Sequence, residues 1–551
     1  MKLSKDDLKK LINNSNEAWY KNPAIKFDTA TKLLNMRFRS GDQWIGFDKE
    51  QSRIVPLPYD QNIPAVTANL FKTYTESVKS RILSLNPRAR VVPMSRDWTD
   101  WTTALNYTKF YKGIFNAIDF EDYLQDMADI QQICGGVWIR PFWNKDIQQG
   151  KFRGEVDFDV RHDITAVVDP VARRIKDVRY IDFIEVYACS AINEAYGKDF
   201  KPDNMESVFN GWYATVFSEL QKARNFNLPR DLMNISSPIV VSEFFYLDKD
   251  NKPRVAIFAK GEILDDYAID FFPTYIPLFK NGMYWKGMTS LDDLRCINRE
   301  LNYTLTRIKG EYSKVAKTLY NVNEIEFPDD RDTLDYDSSE MVPFMSSRPG
   351  AVPLQWVPPP GKTIDLNVYL NMWGEVGGQN DASRGKVPTS QAAGILVESL
   401  VNQDDTKIGN AKTNFKVGLR KVFRQIKTLV DKYYTEDRVV AVAGRERGWE
   451  SFCFKDFKER TSWFNMDIEI GSALPTTSGS KINVVMRLVQ MGIFNDLQNP
   501  MKHARDLMDL SVFEVDIVDQ DVDKQNVEIE QILTNKAPKA AQDYDDHITH
   551  I

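Results

Sequence analysis

The spacing of apolar positions changes along the chain, and the changes divide it into segments. Over residues 24–44, "AIKFDTATKLLNMRFRSGDQW" sets Ala30, Leu33, Leu34 and Phe38 at helical spacing until Gly41 stops the helix. Trp44 and Phe47 then give the following loop something to bury. After the proline-studded "RIVPLPYDQNIPAV", the stretch "NLFKTYTESVKSRILSLNP" brings Leu70, Tyr74, Val78 and Ile82 onto one helical face before Asn86-Pro87 ends it. From Gly136 to about Phe272 the period drops to two. "VWIRPFWN", "EVDFDVRHDITAVVD", "IVVSEFFYL" and "PRVAIFAKGEIL" read as strands, separated by turns such as Asp169-Pro170 and Lys249-Asp250-Asn251. With "SVFNGWYATVFSELQKAR" helical between them, the pattern predicts an α+β domain with antiparallel sheet.

Helical spacing returns at Gly287. Ser290 is placed to cap a helix with Asp292 and Asp293 in its first turn, and Leu294, Ile297, Leu301, Leu305, Ile308, Tyr312 and Val315 fall on one stripe. So narrow a seam fits packing against another long helix, of the same chain or of a neighbouring subunit. From Leu319 to Gly361 the prolines are too dense for a helix and predict a compact strand-and-turn segment. The shorter helical piece "TIDLNVYLNMWGEV" follows, then the glycine-rich "GGQNDASRGKVPTSQAAGILVESL". A very long helix is predicted from Gln391 to about Tyr434, about 60 Å if unbroken. Its apolar face is Ile408, Ala411, Phe415, Leu419, Val422, Ile426, Leu429 and Tyr433, with Lys412, Lys416, Arg420, Lys421, Arg424 and Lys427 pointing elsewhere. Strand patterns resume in "RVVAVAG", "ESFCFKDF" and "FNMDIEIG", where the chain is expected to return to the α+β domain. Short amphipathic helices and a polar tail from about Ala537 close the sequence, and no internal repeat is present.

Composition narrows the function classes. At 551 residues the chain can form three or four structural units, and 42% hydrophobic with 12% aromatic residues is too apolar for a disordered protein. No uninterrupted apolar run is long enough to span a bilayer, and the charged start "MKLSKDDLKKLINNSNEAW" lacks the apolar core of a signal peptide, so no export is expected. Cys134, Cys189, Cys296 and Cys453 have no CxxC spacing, which argues against a disulfide framework or a zinc site and fits a reducing cytosol. His162, His503, His547 and His550 read as solvated surface residues. There is neither a nucleophile elbow nor an HExxH motif. A net charge of −7 argues against tight wrapping of DNA, which needs basic surface; in a chain that handles nucleic acid it would suit passage better than capture.

The run ending in Gly385-Lys386 invites a phosphate-loop reading, which the residues refuse. Asn380 stands where the first glycine belongs, Val387 where a magnesium-binding hydroxyl belongs, and Pro388 removes an N–H from the helix start. The cluster Asp329, Asp330 and Asp332 has the chemistry to bind magnesium for phosphodiester cleavage, although clustered acids in a turn ordinarily face solvent. No catalytic, cofactor-binding or metal site is assigned.

Three stretches, "RFRSGDQW" (37–44), "NLFKTYTESVKSRILSLNPRARVVP" (69–93) and "ITAVVDPVARRIKDVRYIDFIEV" (164–186), together with the order of the segments, resemble the portal, or head-to-tail connector, proteins of tailed bacteriophages. The resemblance covers nearly the whole chain. It implies an α+β portal subunit: wing at 1–286, first stem helix at 287–318, β-containing clip at 319–361 and second stem helix at 362–376. A tunnel loop at 377–390, a long helix below the crown at 391–436, return strands at 437–475 and crown helices with a polar tail at 476–551 complete it. It also implies a non-enzymatic ring, typically dodecameric, at a capsid vertex of the virion, formed in the host cytoplasm. Double-stranded DNA would pass through the ring without sequence specificity during packaging and ejection. The implied partners are the terminase large subunit, the major capsid protein and head-completion or adaptor proteins, with no membrane and no cofactor. On this reading the glycine-rich stretch is a DNA-channel loop: Asn380, Asp381 and Ser383 keep it small and polar, and Arg384 and Lys386 touch phosphate transiently. The alternatives are another virion neck or baseplate protein, or a metal-dependent nucleic-acid enzyme built on the acidic cluster.

Overall fold

The computed structural model describes residues 3–51, 53–58, 65–85, 87–93, 98–149, 152–204, 211–224, 237–280, 282, 285–315, 318–323, 341–346, 352–354, 366–378, 394–435, 439–443, 449–455 and 464–469. The chain divides into two units, one of Met1–Leu83, Glu121–Gln149 and Arg153–Leu429, the other of Ser84–Phe120, Gly150–Phe152 and Val430–Ile551.

Helix α1 (Lys5–Lys21) starts at Ser4, whose hydroxyl accepts from the Asp7 N–H at 3.1 Å. Asn22 likewise accepts from the Ala24 N–H at 2.9 Å, and with Pro23 at the first helical position it starts α2 (Pro23–Ser40). Gly41, left-handed at φ 99°, stops α2. A hairpin of β1 (Ile45–Asp48) and β2 (Arg53–Pro56) leads to α3 (Leu70–Leu83), β3 (Arg88–Pro93), α4 (Trp98–Ala117) and α5 (Phe120–Cys134). The strand-rich part holds β4 (Gly136–Gln149), β5 (Phe152–Arg161), β6 (Ala166–Val168) and β7 (Tyr180–Ala188), then α6 (Cys189–Tyr196) and α7 (Trp212–Arg224). It continues with β8 (Pro238–Leu247), β9 (Pro253–Ala259), β10 (Glu262–Ala268), β11 (Thr274–Pro277), β12 (Phe279–Lys280) and β13 (Gly287–Met288). The later elements are α8 (Leu291–Val315), β14 (Thr318–Asn323), β15 (Met341–Ser346), β16 (Val352–Leu354), α9 (Leu366–Gly377), α10 (Gly394–Tyr433), β17 (Val439–Ala443), β18 (Trp449–Cys453) and β19 (Phe464–Glu469).

The centre of the first unit is an antiparallel five-stranded sheet in the order β10-β9-β8-β7-β6. Because side chains alternate, β8 sends Ile239, Val241 and Phe245 to one face and Val240, Ser242, Phe244 and Tyr246 to the other, and both faces are covered. On the first face these residues join Ile181, Phe183, Trp138 and Tyr275 in one core. On the second, Trp19, Leu33, Trp212 and Val216 from α1, α2 and α7 pack over Val167, Ile184 and Val240, while Leu8 and Ile12 of α1 cover Phe244 and Phe258. The edge strand β10 is pinched by a register shift between Ile263 and Asp265. Strand β7 lies in a stretch not predicted as a strand: Asp182, buried under α1, breaks the apolar alternation that would have marked it.

Burial of charge is the costly part of this core. Lys32 of α2 lies buried with its ammonium 2.8 Å from the equally buried Asp163 and 2.7 Å from Asp28, which Lys286 meets at 3.0 Å. Burial alone would lower the Lys32 pKa, but Asp163 and Asp28 drive it well above the ordinary lysine value. Burial would likewise raise Asp28, yet Lys32 and Lys286 hold it well below the usual carboxylate range. Asp182 lacks such a cation: burial pushes it up to about 7, with the hydroxyls of Ser15 and Ser242 pulling the other way.

In the second unit β3 pairs antiparallel with β19, and β17 with β18. The returning strands, expected to rejoin the α+β domain, thus pair with β3 and with each other among the described residues, not with the five-stranded sheet. Tyr107, Phe110 and Tyr111 of α4 are buried there; Tyr107 meets the ring of Phe464 and donates to Asp431 at 2.9 Å, and the rings of Phe110, Tyr434 and Phe454 form a mutual cluster. Tyr434 takes the buried place expected for Tyr433. In the segment predicted as strands and turns, β14 pairs parallel with β15 and antiparallel with β16.

Replacing Lys32 with Met leaves Asp163 buried without its cation, and should cost about 3–5 kcal/mol, read as a fall in the thermal midpoint. Adding Asp163→Leu should recover much of that loss. For Asp182 the folded pKa of about 7 lies above its unfolded value near 4, so its destabilising effect appears as pH rises above about 4 and is complete above about 7. Asp182→Asn should therefore stabilise the protein more near pH 8 than near pH 5, and an equal gain at both would contradict this account.

Candidate functional site at the base of the glycine-rich loop

Of the predicted loop, Gly377 and Gly378 are described; Asn380, Asp381, Ser383, Arg384 and Lys386 lie outside the described residues, as do Asp329, Asp330 and Asp332. What the structure shows is how the chain is held where that loop begins. The holding point is Gln43, buried in the Gly-Asp-Gln-Trp stretch, where Trp44 and Phe47 had been expected to be the buried residues and are only half-buried. Its amide nitrogen donates to the Phe38 carbonyl and to Asn69 Oδ1, both at 3.0 Å. Its amide oxygen accepts from Asn298 Nδ2 and, at 2.7 Å, from Asn302 Nδ2. Two donors and two acceptor positions are thus all engaged, which is what makes an amide tolerable inside a protein.

Asn69 extends the network. Its Oδ1 also accepts from the Lys72 N–H at 3.1 Å, capping α3, and its Nδ2 donates to the Arg39 carbonyl at 3.0 Å. The segment before α3 has no regular structure, and α8 side chains satisfy its backbone: Ala68 N–H donates to Asn302 Oδ1 and Val66 N–H to Thr306 Oγ1, both at 2.9 Å. Arg299 donates to the Ile45 carbonyl at 3.1 Å and Arg295 to Asn35 Oδ1 at 2.7 Å, while Asn35 donates to Asp292 at 2.9 Å. Burial pushes the Asp292 carboxyl up, with Asn35 and Arg295 pulling it back.

One face of α8 is therefore polar and buried. Asn298, Asn302 and Thr306 follow one another at four-residue spacing, while Ile297, Leu305 and Ile308 of the predicted apolar stripe are only half-buried. Sequence reading missed the buried face because polar residues at helical spacing ordinarily mark the solvent side. The repeat itself was visible.

Helix α9 lies alongside. Trp373 is buried against the rings of Phe71 at 6.1 Å and Tyr74 at 6.2 Å, and a side chain at Gly377 would come within 3.1 Å of the Tyr74 ring. Gly378 then turns left-handed at φ 69°, ending the helix where the loop departs. The opposite face of α9 carries Val368, Met372 and Val376, which are 52%, 45% and 44% exposed. On α10, Ile408, Ala411, Phe415, Leu419, Val422, Ile426 and Leu429 are buried as predicted. Gly418 brings that helix onto β11, since an added Cβ would lie 2.5 Å from Ile276.

Among the described residues no group of His, Cys, Asp and Glu is placed to hold a metal ion, and His162 is half-buried at the end of β5. No described helix is long and apolar enough to cross a membrane. The arrangement fixes two helices and a loop origin in space.

The chain matches the model of the Phage P22-like portal protein family over residues 30–471 of its 551, and belongs to that family. It is a structural portal protein of a tailed bacteriophage, acting at the capsid vertex in DNA packaging. No curated protein matches the chain. Two of the stretches that carried the resemblance, 37–44 and 69–93, meet in the structure at the Gln43–Asn69 hydrogen bond.

Gln43→Leu should strand the amides of Asn298 and Asn302 and cost about 2–5 kcal/mol, seen as a lower thermal midpoint. Gly377→Val should push α9 off Tyr74, and a change in near-ultraviolet circular dichroism from the Trp373 environment should report it.

Proposed function

We propose that the chain assembles into a closed, dodecameric ring whose central channel passes double-stranded DNA during packaging and ejection. In this reading residues 1–286 supply the wing, α8 and α9 the stem, β14, β15 and β16 the clip, and residues 377–390 the loop that faces DNA. Asn380, Asp381 and Ser383 keep that loop compliant, and Arg384 and Lys386 give it transient contact with phosphate. The terminase large subunit docks on the clip and is later replaced by head-completion proteins, and the major capsid protein surrounds the wing, in the host cytoplasm first and in the virion afterwards. The function needs no reacting group, only shape and closure.

The observation that carries the ring is the outward stripe of α9. Val368, Met372 and Val376 recur every four residues, so they form one continuous apolar ridge, which the described residues leave uncovered. A second copy is the fitting cover. A ring of identical subunits needs two different complementary faces on each, and the half-buried Ile297, Leu305 and Ile308 of α8 offer an apolar counterpart to the ridge. Covering the ridge contributes about 2–4 kcal/mol per contact on area grounds. The overall charge of −7 disfavours tight capture of DNA, consistent with sliding.

Native mass spectrometry and electron microscopy of the purified protein test this. Rings of one size with a hole wide enough for a duplex are expected from the unmodified chain, and monomers with unchanged circular dichroism from Met372→Asp combined with Val376→Asp. Rings that survive both substitutions would remove α9 from the interface, and a persistent monomer of the unmodified chain would remove the ring.

A further inference from the structure

A cavity of about 460 Å³ in the first unit is walled by the segment between β6 and β7, the end of β12 with the turn after it, and the middle of α10. Arg173 and Arg174 enter it from the first, Lys280 from the second and Lys421 from the third, beside an apolar wall that includes Tyr275 and Trp285. None of the described residues lining it is acidic. Asp177, the nearest acid along the chain, already accepts from the Arg174 N–H at 3.2 Å. Among the described residues none of the four cations is in an ion pair. Burial, then the positive charges of Lys176 and Lys280, lowers the Lys421 pKa, so Lys421 and Lys280 are close enough to repel one another.

We propose that this cavity is a binding site for a phosphate-bearing polyanion, held by Arg173, Arg174, Lys280 and Lys421 against the apolar wall of Tyr275 and Trp285. A protein of net charge −7 that gathers four cations around one concavity, with no carboxylate among them, has left the neutralising charge to a ligand. A single carboxylate from another protein would balance one of the four. Successive phosphates balance several, and the adjacent arginines supply forked donors that match phosphate oxygens. The volume lies within the range of small-ligand sites. Two sources share this chemistry, a free polyphosphate chain and the backbone of a DNA duplex. The inference rests on this cavity and not on ring assembly: a persistent monomer would leave it standing, and an empty cavity would leave the ring standing.

Tripolyphosphate is the first probe, titrated into the full-length protein at low salt by calorimetry and by thermal unfolding. Saturable binding that raises the thermal midpoint is expected, weakened about ten-fold or more in Lys421→Gln and in Arg173→Gln with Arg174→Gln. Lys421→Arg, which keeps the charge, should retain binding. Without ligand, Lys421→Gln should unfold no earlier than the unmodified protein, because it removes repulsion and breaks no ion pair. A labelled short duplex that competes with tripolyphosphate identifies DNA backbone as the source, and a duplex that does not compete identifies the free chain. Absence of saturable tripolyphosphate binding, or equal binding by the Gln variants, overturns the proposal.

Discussion

Lys32 carries its ammonium group into the interior between α2 and the turn that follows β5, where water cannot solvate it, so carboxylates must be delivered to it. Asp163 comes from the strand-rich part of the chain, Asp28 from the preceding turn of α2, and Lys286, which meets Asp28, from the segment just before α8. Three stretches far apart in sequence must arrive together or leave a charge unpaired. Such a cluster adds little net stability over an apolar core of the same shape, yet it makes misregistered packings of α2 on the sheet costly. The placement of α8 against α2 therefore begins from this cluster.

Gln43 does in neutral hydrogen bonds what Lys32 does in charge. It reads the end of α2, the cap of α3 and two turns of α8 with one amide, and any of these that shifts leaves a buried donor or acceptor unpaired. Trp373 and Gly377 then set α9 against α3 and α8 by shape alone. The loop thus departs from a base fixed by charge, by hydrogen bonds and by close packing in turn. A structural portal protein has reason for this redundancy, because it holds parts in place.

Much of the fold was legible. The helical stripes of α2, α3 and α10 and the alternation in β4, β5, β8 and β9 follow from apolar period, since burial on one side is what sets that period. What the pattern hid is what is polar and buried. Gln43, Asn298, Asn302 and Thr306 look like solvent positions, Asp182 disguises a strand buried on both faces, and Lys32 with Asp163 are 131 residues apart. Each depends on a partner distant in sequence, which local spacing cannot express. The base of the candidate site was marked only through the family-like stretches, whose Gly41 and Gln43 prove to have physical work to do. The loop residues themselves, Asn380 to Lys386, were named from composition and position alone.

The pinched edge strand β10 bears on life at high copy number. A sheet edge offers a row of unpaired N–H and C=O groups, and many copies of one chain held close together would otherwise find each other's edges. β10 interrupts that row with its register shift at Ile263 and Asp265 and lines it with Glu262, Asp265 and Asp266, while the opposite edge, β6, is three residues long. Both edges of this sheet are therefore poor templates for pairing with another copy, which works against fibre-like aggregation through it.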